Sequence, residues 1–346
     1  MTTPETYMHR CLELARLGAG HVAPNPMVGA VLVYEDRIIG EGYHRLYGKA
    51  HAEVNCIDSV SEADSGFIDK STIYVSLEPC AHHGKTPPCA DLIIAKNIPR
   101  VVIGCRDPFP QVDGKGIGKL KAAGIEVTLG VLEKECIDCN RRFFTFNTRH
   151  RPYIILKWAQ SANGFIARAG ERTPISNDYT NRLVHKWRSE EASILVGPRT
   201  ALIDNPALTA RLWTGPDPVR LVIDKNLELP PDLRLFDKKT RTIVFNTIKH
   251  EETRDNLEYY QVAGDSSLID QLLIALHHMK IQSVLVEGGA RLLQSFIDAD
   301  AWDEARVITN NELALPAGLP APRLTNAHLR SHESLLSDTI RYYHHD

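Results

Sequence analysis

Two separated stretches must meet in any fold this chain adopts: His51-Ala52-Glu53, and Pro79-Cys80-Ala-His82-His83-Gly-Lys85-Thr-Pro-Pro-Cys89. One imidazole and two thiolates form a soft three-ligand set that suits zinc and leaves a fourth position open, as catalytic zinc sites do. The strand-like run Thr72–Leu77 leads straight into Pro79-Cys80, and a helix is expected to begin near Pro88-Cys89, so both thiols fall at element ends where they can converge. Buried cysteines also pack as small hydrophobes, and a structural zinc completed by His82 or His83 is the other arrangement these residues allow.

Glu53 separates these readings. A carboxylate two residues from a metal ligand can take a proton from water and hand it on, and H-x-E…P-C…C is a pattern of zinc deaminases. Nucleic-acid deaminases of that pattern carry P-C-x-x-C, whereas eight residues separate Cys80 from Cys89 here. The formal net charge of −3 offers no broad grip on a phosphate backbone. A small-molecule substrate is therefore expected, without nucleic acid.

The 346 residues can build two full cores. No apolar run is long enough to span a membrane, and the N-terminus moves directly into a helical period at Met8, Cys11, Leu12, Leu14 and Ala15 without a secretion-signal pattern. A cytoplasmic protein with no membrane partner is expected. Seven scattered cysteines do not form a disulfide framework, and Cys136-Ile-Asp-Cys139 lies in a helical stretch where it reads as structural.

The first half alternates: a helix near 5–18, a strand at 27–34, a helix from about His51, strands at 72–77 and 100–105, a short helix near 116–123, a strand at 126–129 and a long amphipathic helix from about Leu132. Such alternation implies an α/β sheet covered by helices on both faces. The basic segment Phe143–Pro152 marks a boundary, giving domains 1–146 and 151–346. After it come a strand at 153–158, a helix near 178–190, strands at 193–197, 219–224 and 242–246, a helix near 268–279, a strand at 283–287 and a helix from about Ala290. The last residues, from Arg341, fit an edge strand with a frayed end.

Within the second half, Glu287-Gly288-Gly289 follows an apolar strand and opens a helix. A pyrophosphate could approach such a turn, and a plain strand-to-helix turn explains it equally well. Arg188 and Arg211 could hold a phosphate in fork geometry, with Asp204 holding hydroxyls or orienting a ring amine. Lys157 interrupts the apolar strand Tyr153–Ala159 and so needs a partner or a ligand.

Taken together, Asn25-Pro-Met-Val-Gly29, Gly42-Tyr-His44, Gly48-Lys-Ala-His51-Ala-Glu53 and Cys80…Cys89 resemble the deaminase half of the bifunctional riboflavin-biosynthesis deaminase/reductases. Lys157…Ser161-Ala-Asn163-Gly164, Gly197-Pro-Arg-Thr200, Asp204-Asn-Pro206, Leu208-Thr-Ala-Arg211 and Glu287-Gly-Gly289 resemble their reductase half. The resemblance implies an N-terminal cytidine-deaminase-like α/β/α sandwich and a C-terminal domain similar to dihydrofolate reductase. It implies Zn2+ and NADPH as cofactors, a homo-oligomer, and a phosphorylated pyrimidine substrate, 2,5-diamino-6-ribosylamino-4(3H)-pyrimidinone 5′-phosphate.

By the same resemblance, Glu53 is catalytic and His51, Cys80 and Cys89 hold the metal. Asn25, His44 and Lys85 contact the deaminase substrate; Lys157, Arg188, Asp204, Leu208, Arg211 and Glu287 contact the reductase substrate. Ala159, Pro174, Thr200, Asp204, Gly288 and Gly289 contact the cofactor. The chain departs from the family at Ala162-Asn163-Gly164, where many members have Leu-Asp-Gly, and at Pro174, where they carry tryptophan.

Overall fold

The computed structural model describes residues 3–81, 87–168, 170–251, 255–264 and 267–345. The chain divides into two compact units, Met1–Arg149 and His150–Asp346.

The first unit runs α1 (Pro4–Arg16), β1 (Gly29–Tyr34), β2 (Arg37–Tyr43), α2 (Ala52–Asp58), β3 (Thr72–Leu77), α3 (Cys89–Ala95), β4 (Arg100–Cys105), α4 (Lys115–Ala122), β5 (Glu126–Leu129), α5 (Glu133–Cys139) and α6 (Arg141–Thr148). Its sheet has the order β2-β1-β3-β4-β5. β1 pairs antiparallel with β2 and β3, and the pairs β3–β4 and β4–β5 are parallel. Side chains alternate across the strands. Val31, Val33, Tyr74 and Leu77 pack with α1 and α5, while Ala30, Leu32, Ile73 and Val75 face Cys56 of α2, Ile93 of α3 and Leu120 of α4.

The sequence pattern from Leu132 predicts one long helix, and the structure breaks it at Asn140. The Asn140 amide accepts from the Met27 N–H at 2.8 Å and donates to the Met27 carbonyl at 2.9 Å. Asn140 thus satisfies both backbone groups of Met27 with its side chain, while its own backbone leaves the helical region at φ −107°. Strand β2 is absent from the sequence reading because Gly40 and Gly42 interrupt its alternation. Those glycines admit α2, whose backbone lies where their Cβ atoms would be.

The second unit runs β6 (Tyr153–Ser161), β7 (Phe165–Ala167), α7 (Asp178–Glu190), β8 (Ser193–Val196), α8 (Pro198–Asp204), β9 (Val219–Ile223), β10 (Thr242–Asn246), β11 (Leu257–Gln261), α9 (Leu268–His278), β12 (Ser283–Val286), α10 (Ala290–Asp298), β13 (Glu304–Asn310), β14 (Leu319–Pro320), β15 (Ala327–Leu335) and β16 (Asp338–His345). Nine strands form one sheet in the order β11-β10-β9-β8-β12-β6-β13-β16-β15. All are parallel from β11 to β13, and β16 and β15 continue antiparallel. Leu272 of α9 and Phe296 of α10 pack on one face, Val184 of α7 and Ala201 of α8 on the other. This coverage of both faces is what a mostly parallel sheet requires.

The C-terminal strand is not an edge strand. β16 lies between β13 and β15, and β15 forms the edge. Both neighbours are hard to read from the sequence. β15 is polar and largely exposed, while β13 buries two charges, Glu304 and Arg306, which pair at 2.6 Å.

Candidate functional site

In the first unit the chemistry gathers at the C-terminal end of β3 and the starts of two helices. His51 is the N-cap of α2 and Cys89 is the first residue of α3, while Cys80 lies in the turn after β3. The Nδ1 of His51 is 3.6 Å from the Cys80 sulfur and 3.3 Å from the Cys89 sulfur. Tetrahedral zinc with ordinary Zn–S and Zn–N bonds holds its ligand atoms about 3.5 Å apart, so the donor spacing fits that ion. Among the described residues this is the one cluster of three or more candidate metal ligands. His82 and His83, the possible fourth ligands, lie outside the described residues.

Hydrogen bonding from the Cys89 thiol pulls Cys80 down to about 4, with the His51 ring and the Cys89 N–H acting the same way. Cys89 moves up as its counterpart, through that same bond and burial. A sulfur at a helix start, accepting a backbone N–H, is a stabilised thiolate. Glu53, in the first turn of α2, is 3% exposed, and burial raises its carboxyl above the usual range. A carboxyl so placed can both accept and return a proton.

Asn25 and His44 come together beside the triad. The Asn25 amide donates to Nε2 of His44 at 3.1 Å, and Nδ1 of His44 donates to the Ala50 carbonyl at 3.0 Å. Burial lowers the His44 pKa, which keeps the ring neutral in that arrangement. Its ring meets the His51 ring edge-on at 5.3 Å. Lys85 lies outside the described residues.

In the second unit, Lys157 and Ala159 share the face of β6 that carries Tyr153 and Ile155. The partner that Lys157 required is Glu287, at 3.8 Å. Glu287 is held far more tightly by Arg188, through bonds of 2.9 and 2.7 Å. Burial opposes the charge on Glu287, but Arg188 and Lys157 outweigh it and hold the carboxyl down to about 2. For Lys157 burial outweighs the looser contact and lowers its pKa.

This pairing corrects one expectation. Arg188 directs its fork at Glu287 and its remaining Nη1 donates to the Thr209 carbonyl at 3.3 Å, so it does not present an open fork to a phosphate. Arg211 does remain exposed, close to the like charges of Arg188, Arg234 and Arg172. Asp204 ends α8, and burial raises its carboxyl. Leu208 is buried with φ +52°, a left-handed backbone that bulky residues rarely adopt.

Thr200 and the glycine turn meet: a Cβ on Gly289, whose φ is +67°, would lie 3.4 Å from the Thr200 hydroxyl oxygen. Thr200 thus stands beside the turn that opens α10. Pro174 is exposed on the segment before α7. The sequence reading missed His185, one turn before Arg188 on α7, whose Nδ1 accepts the Leu212 N–H at 3.5 Å. Burial and the neighbouring arginines lower it to about 4. The H-x-x-R spacing on one helical face was its only signal.

A soft triad beside a buried carboxyl, followed by a mostly parallel sheet with a Lys157–Arg188–Glu287 cluster next to a glycine turn, fits the class of a zinc deaminase joined to a nucleotide-dependent reductase. Comparisons with known proteins narrow that class. Residues 1–105 match the cytidine and deoxycytidylate deaminase zinc-binding region, and residues 152–311 match the RibD C-terminal domain. The riboflavin biosynthesis protein RibD of Aquifex aeolicus is 40% identical over 304 residues, covering 86% of this chain and 84% of that protein. The crystal structure of a diaminohydroxyphosphoribosylaminopyrimidine deaminase/5-amino-6-(5-phosphoribosylamino)uracil reductase from Thermotoga maritima is 37% identical. It superposes with a TM-score of 0.90 over 99% of both chains. Acinetobacter baumannii RibD is 30% identical, with a TM-score of 0.89 over 99% of this chain and 98% of its own. The chain belongs to the RibD family, the bifunctional deaminase/reductases of riboflavin biosynthesis. Its substrate is a phosphorylated pyrimidine, its deaminase region binds zinc, and its reductase domain is of the NADPH-dependent type. No helix among the described residues is long and apolar enough to cross a membrane.

Proposed function

We propose that residues 1–146 deaminate 2,5-diamino-6-ribosylamino-4(3H)-pyrimidinone 5′-phosphate and that residues 151–346 reduce the ribose of the product to ribitol. The observation that carries the first step is the convergence of His51, Cys80 and Cys89 beside the buried Glu53 carboxyl. When bound to these three residues, zinc supplies the Lewis acidity that lets water attack a ring carbon at neutral pH. Glu53 takes a proton from the attacking water and gives it to the ring nitrogen, then takes the second proton from the added hydroxyl and gives it to the departing amine, so one carboxylate serves as base and acid in turn. Asn25, His44 and Lys85 hold the substrate. For Asn25 and His44 the reading is supported by their mutual hydrogen bond beside His51.

In the reductase half the cofactor supplies the hydride to ribose C1′. Ala159, Pro174, Thr200, Asp204, Gly288 and Gly289 form its proposed contacts; the adjacency of Thr200 and Gly289 supports that set. Lys157 and Asp204 serve the reacting end of the ribose. Glu287 and Arg188 brace Lys157, and Leu208 and Arg211 receive the phosphate end. The substrate is a free small molecule rather than nucleic acid, supported by the eight residues between Cys80 and Cys89 and the net charge of −3. Seven unpaired cysteines support a cytoplasmic setting. The family resemblance extends the reading to a homo-oligomer.

The test is Glu53→Gln. An amide keeps the shape and cannot carry the proton, so ammonia release should fall by about 10²–10⁴-fold. Bound zinc and reductase turnover on pre-deaminated substrate should persist. Ammonia release near the normal rate would assign the proton transfer to another group.

A further inference from the structure

Glu78 stands two positions before Cys80 and is 4% exposed. Its carboxylate accepts three backbone N–H groups from the segment that leads from β4 into the first turn of α4: Oε2 from Asp107 at 3.3 Å and Gly114 at 3.0 Å, and Oε1 from Ile117 at 3.1 Å. Its own N–H donates to the Cys105 carbonyl at 3.0 Å, which carries the β3–β4 pairing one residue further.

This bonding answers a local need. Helix α4 begins after Gly114, a residue with no side chain to satisfy the first helical amides. The missing cap comes from Glu78, on the far side of β4 in sequence. The contact is also close. A Cβ on Gly116 would fall 1.9 Å from the Pro79 carbonyl oxygen, so only glycine lets the first turn of α4 press on the peptide between Glu78 and Cys80. From the start of α3, the Cys80 carbonyl accepts the Ala90 N–H at 3.1 Å, and its sulfur accepts the Cys89 N–H at 3.3 Å. The Cys80 turn is thus tied to the starts of two helices.

We infer that Glu78 is a positioning residue of the deaminase site, whose carboxylate locks the Cys80 turn to α4 and to the Asp107 backbone and thereby sets where the Cys80 sulfur stands in the triad. The inference rests on the zinc reading of His51, Cys80 and Cys89. A carboxylate that only stabilised α4 could sit in that helix's own first turn, as in a capping box. Its location beside a ligand couples the cap to the metal geometry. Asp107 belongs to the same clamp: it is 6% exposed, and its Oδ1 accepts the Phe109 N–H at 2.8 Å.

The experiment measures zinc affinity by chelator competition, and the absorption spectrum of the Co2+-loaded protein, for the full chain and for Glu78→Gln. The amide turns an NH2 toward N–H donors, so at least one of the three loses its acceptor. Removing support behind a metal ligand typically costs 10- to 100-fold in affinity, and about that loss is expected with a shifted cobalt spectrum. Leu120→Ala is the comparison, because it opens a cavity under α4 without touching residues 78–80. It should lower the melting temperature and keep the parent zinc affinity and cobalt spectrum. Unchanged affinity in Glu78→Gln, or an equal loss in Leu120→Ala, overturns the inference. If Glu78→Gln does not fold, Ile117→Pro removes one donor and leaves the carboxylate; a smaller loss in the same direction is expected, and parent affinity overturns the inference. Failure of the unmodified chain to bind zinc would instead overturn the metal site itself, and this inference with it.

Discussion

The metal triad of the first unit and the charged cluster of the second solve opposite problems. His51, Cys80 and Cys89 bring three electron-rich donors within 4.8 Å of one another, with His51 Nδ1 3.6 and 3.3 Å from the two sulfurs, an arrangement that makes chemical sense around a shared cation. Lys157, Arg188 and Glu287 bring opposite charges together and neutralise much of their own field. One site gathers donors for a cation, and the other carries most of its counter-charge within the chain. The difference predicts that the first depends on an added ion, whereas the second is a self-supporting element of its core.

The largest separation should come from Cys89→Ser. A serine hydroxyl is a poor zinc ligand beside a thiolate, so stoichiometric zinc and ammonia release should both be lost while reductase turnover on pre-deaminated substrate persists. Metal analysis and the two assays check this. Full zinc retention would remove Cys89 from the ligand set.

Glu287→Gln probes the other side. Breaking a buried pair strands its partners, here Arg188 and Lys157, at a typical cost of about 3–5 kcal/mol. Thermal unfolding of the second unit should shift down with zinc content unchanged. The acid limb follows with a definite sign. Glu287 is held below its unfolded value of 4.5, at about 2, so its stabilisation is complete above pH 4.5 and is lost as pH falls from there toward 2. An acid titration of stability for the parent and Glu287→Gln should show the two converging across that window. Parallel curves would mean that Glu287 does not carry the dependence.

The smallest effect belongs to Arg211→Ala, the exposed arginine beside Arg188. Loss of one charge-assisted phosphate contact costs about 1.5–3 kcal/mol, one to two decades in affinity. Reductase kinetics with phosphorylated and dephosphorylated substrates should show the preference shrinking by that factor. An unchanged preference would leave Arg211 as a surface residue.

The same contrast explains what could be read from the sequence. His51, Glu53, Cys80 and Cys89 were legible because an ion dictates residue types and short spacings. Lys157 was legible only as an anomaly in an apolar strand; its partner Glu287 is remote in sequence and no local pattern links them. Glu78 and His185 act through backbone groups, which leave no trace in residue type. Among the elements, Thr72–Leu77, Arg100–Cys105 and Asp178–Glu190 match their sequence-based bounds, because each carries an unbroken apolar run or period. The reading lost β13 and β15 where buried ion pairs or an exposed edge replace that pattern.

The position of β6 in its sheet has a consequence for how the chain is made. β6 is the first strand of the second unit to leave the ribosome, yet its two neighbours are β12 and β13, which begin at residues 283 and 304. At typical synthesis rates of 5–20 residues per second, an apolar strand carrying Ile154, Ile155 and Leu156 waits about 6 to 25 s for its first partner. The first unit can close before then, since β1 through β5 pair with near neighbours in sequence. Chaperone capture during translation should therefore concentrate on nascent chains that have passed β6 and not yet delivered β12.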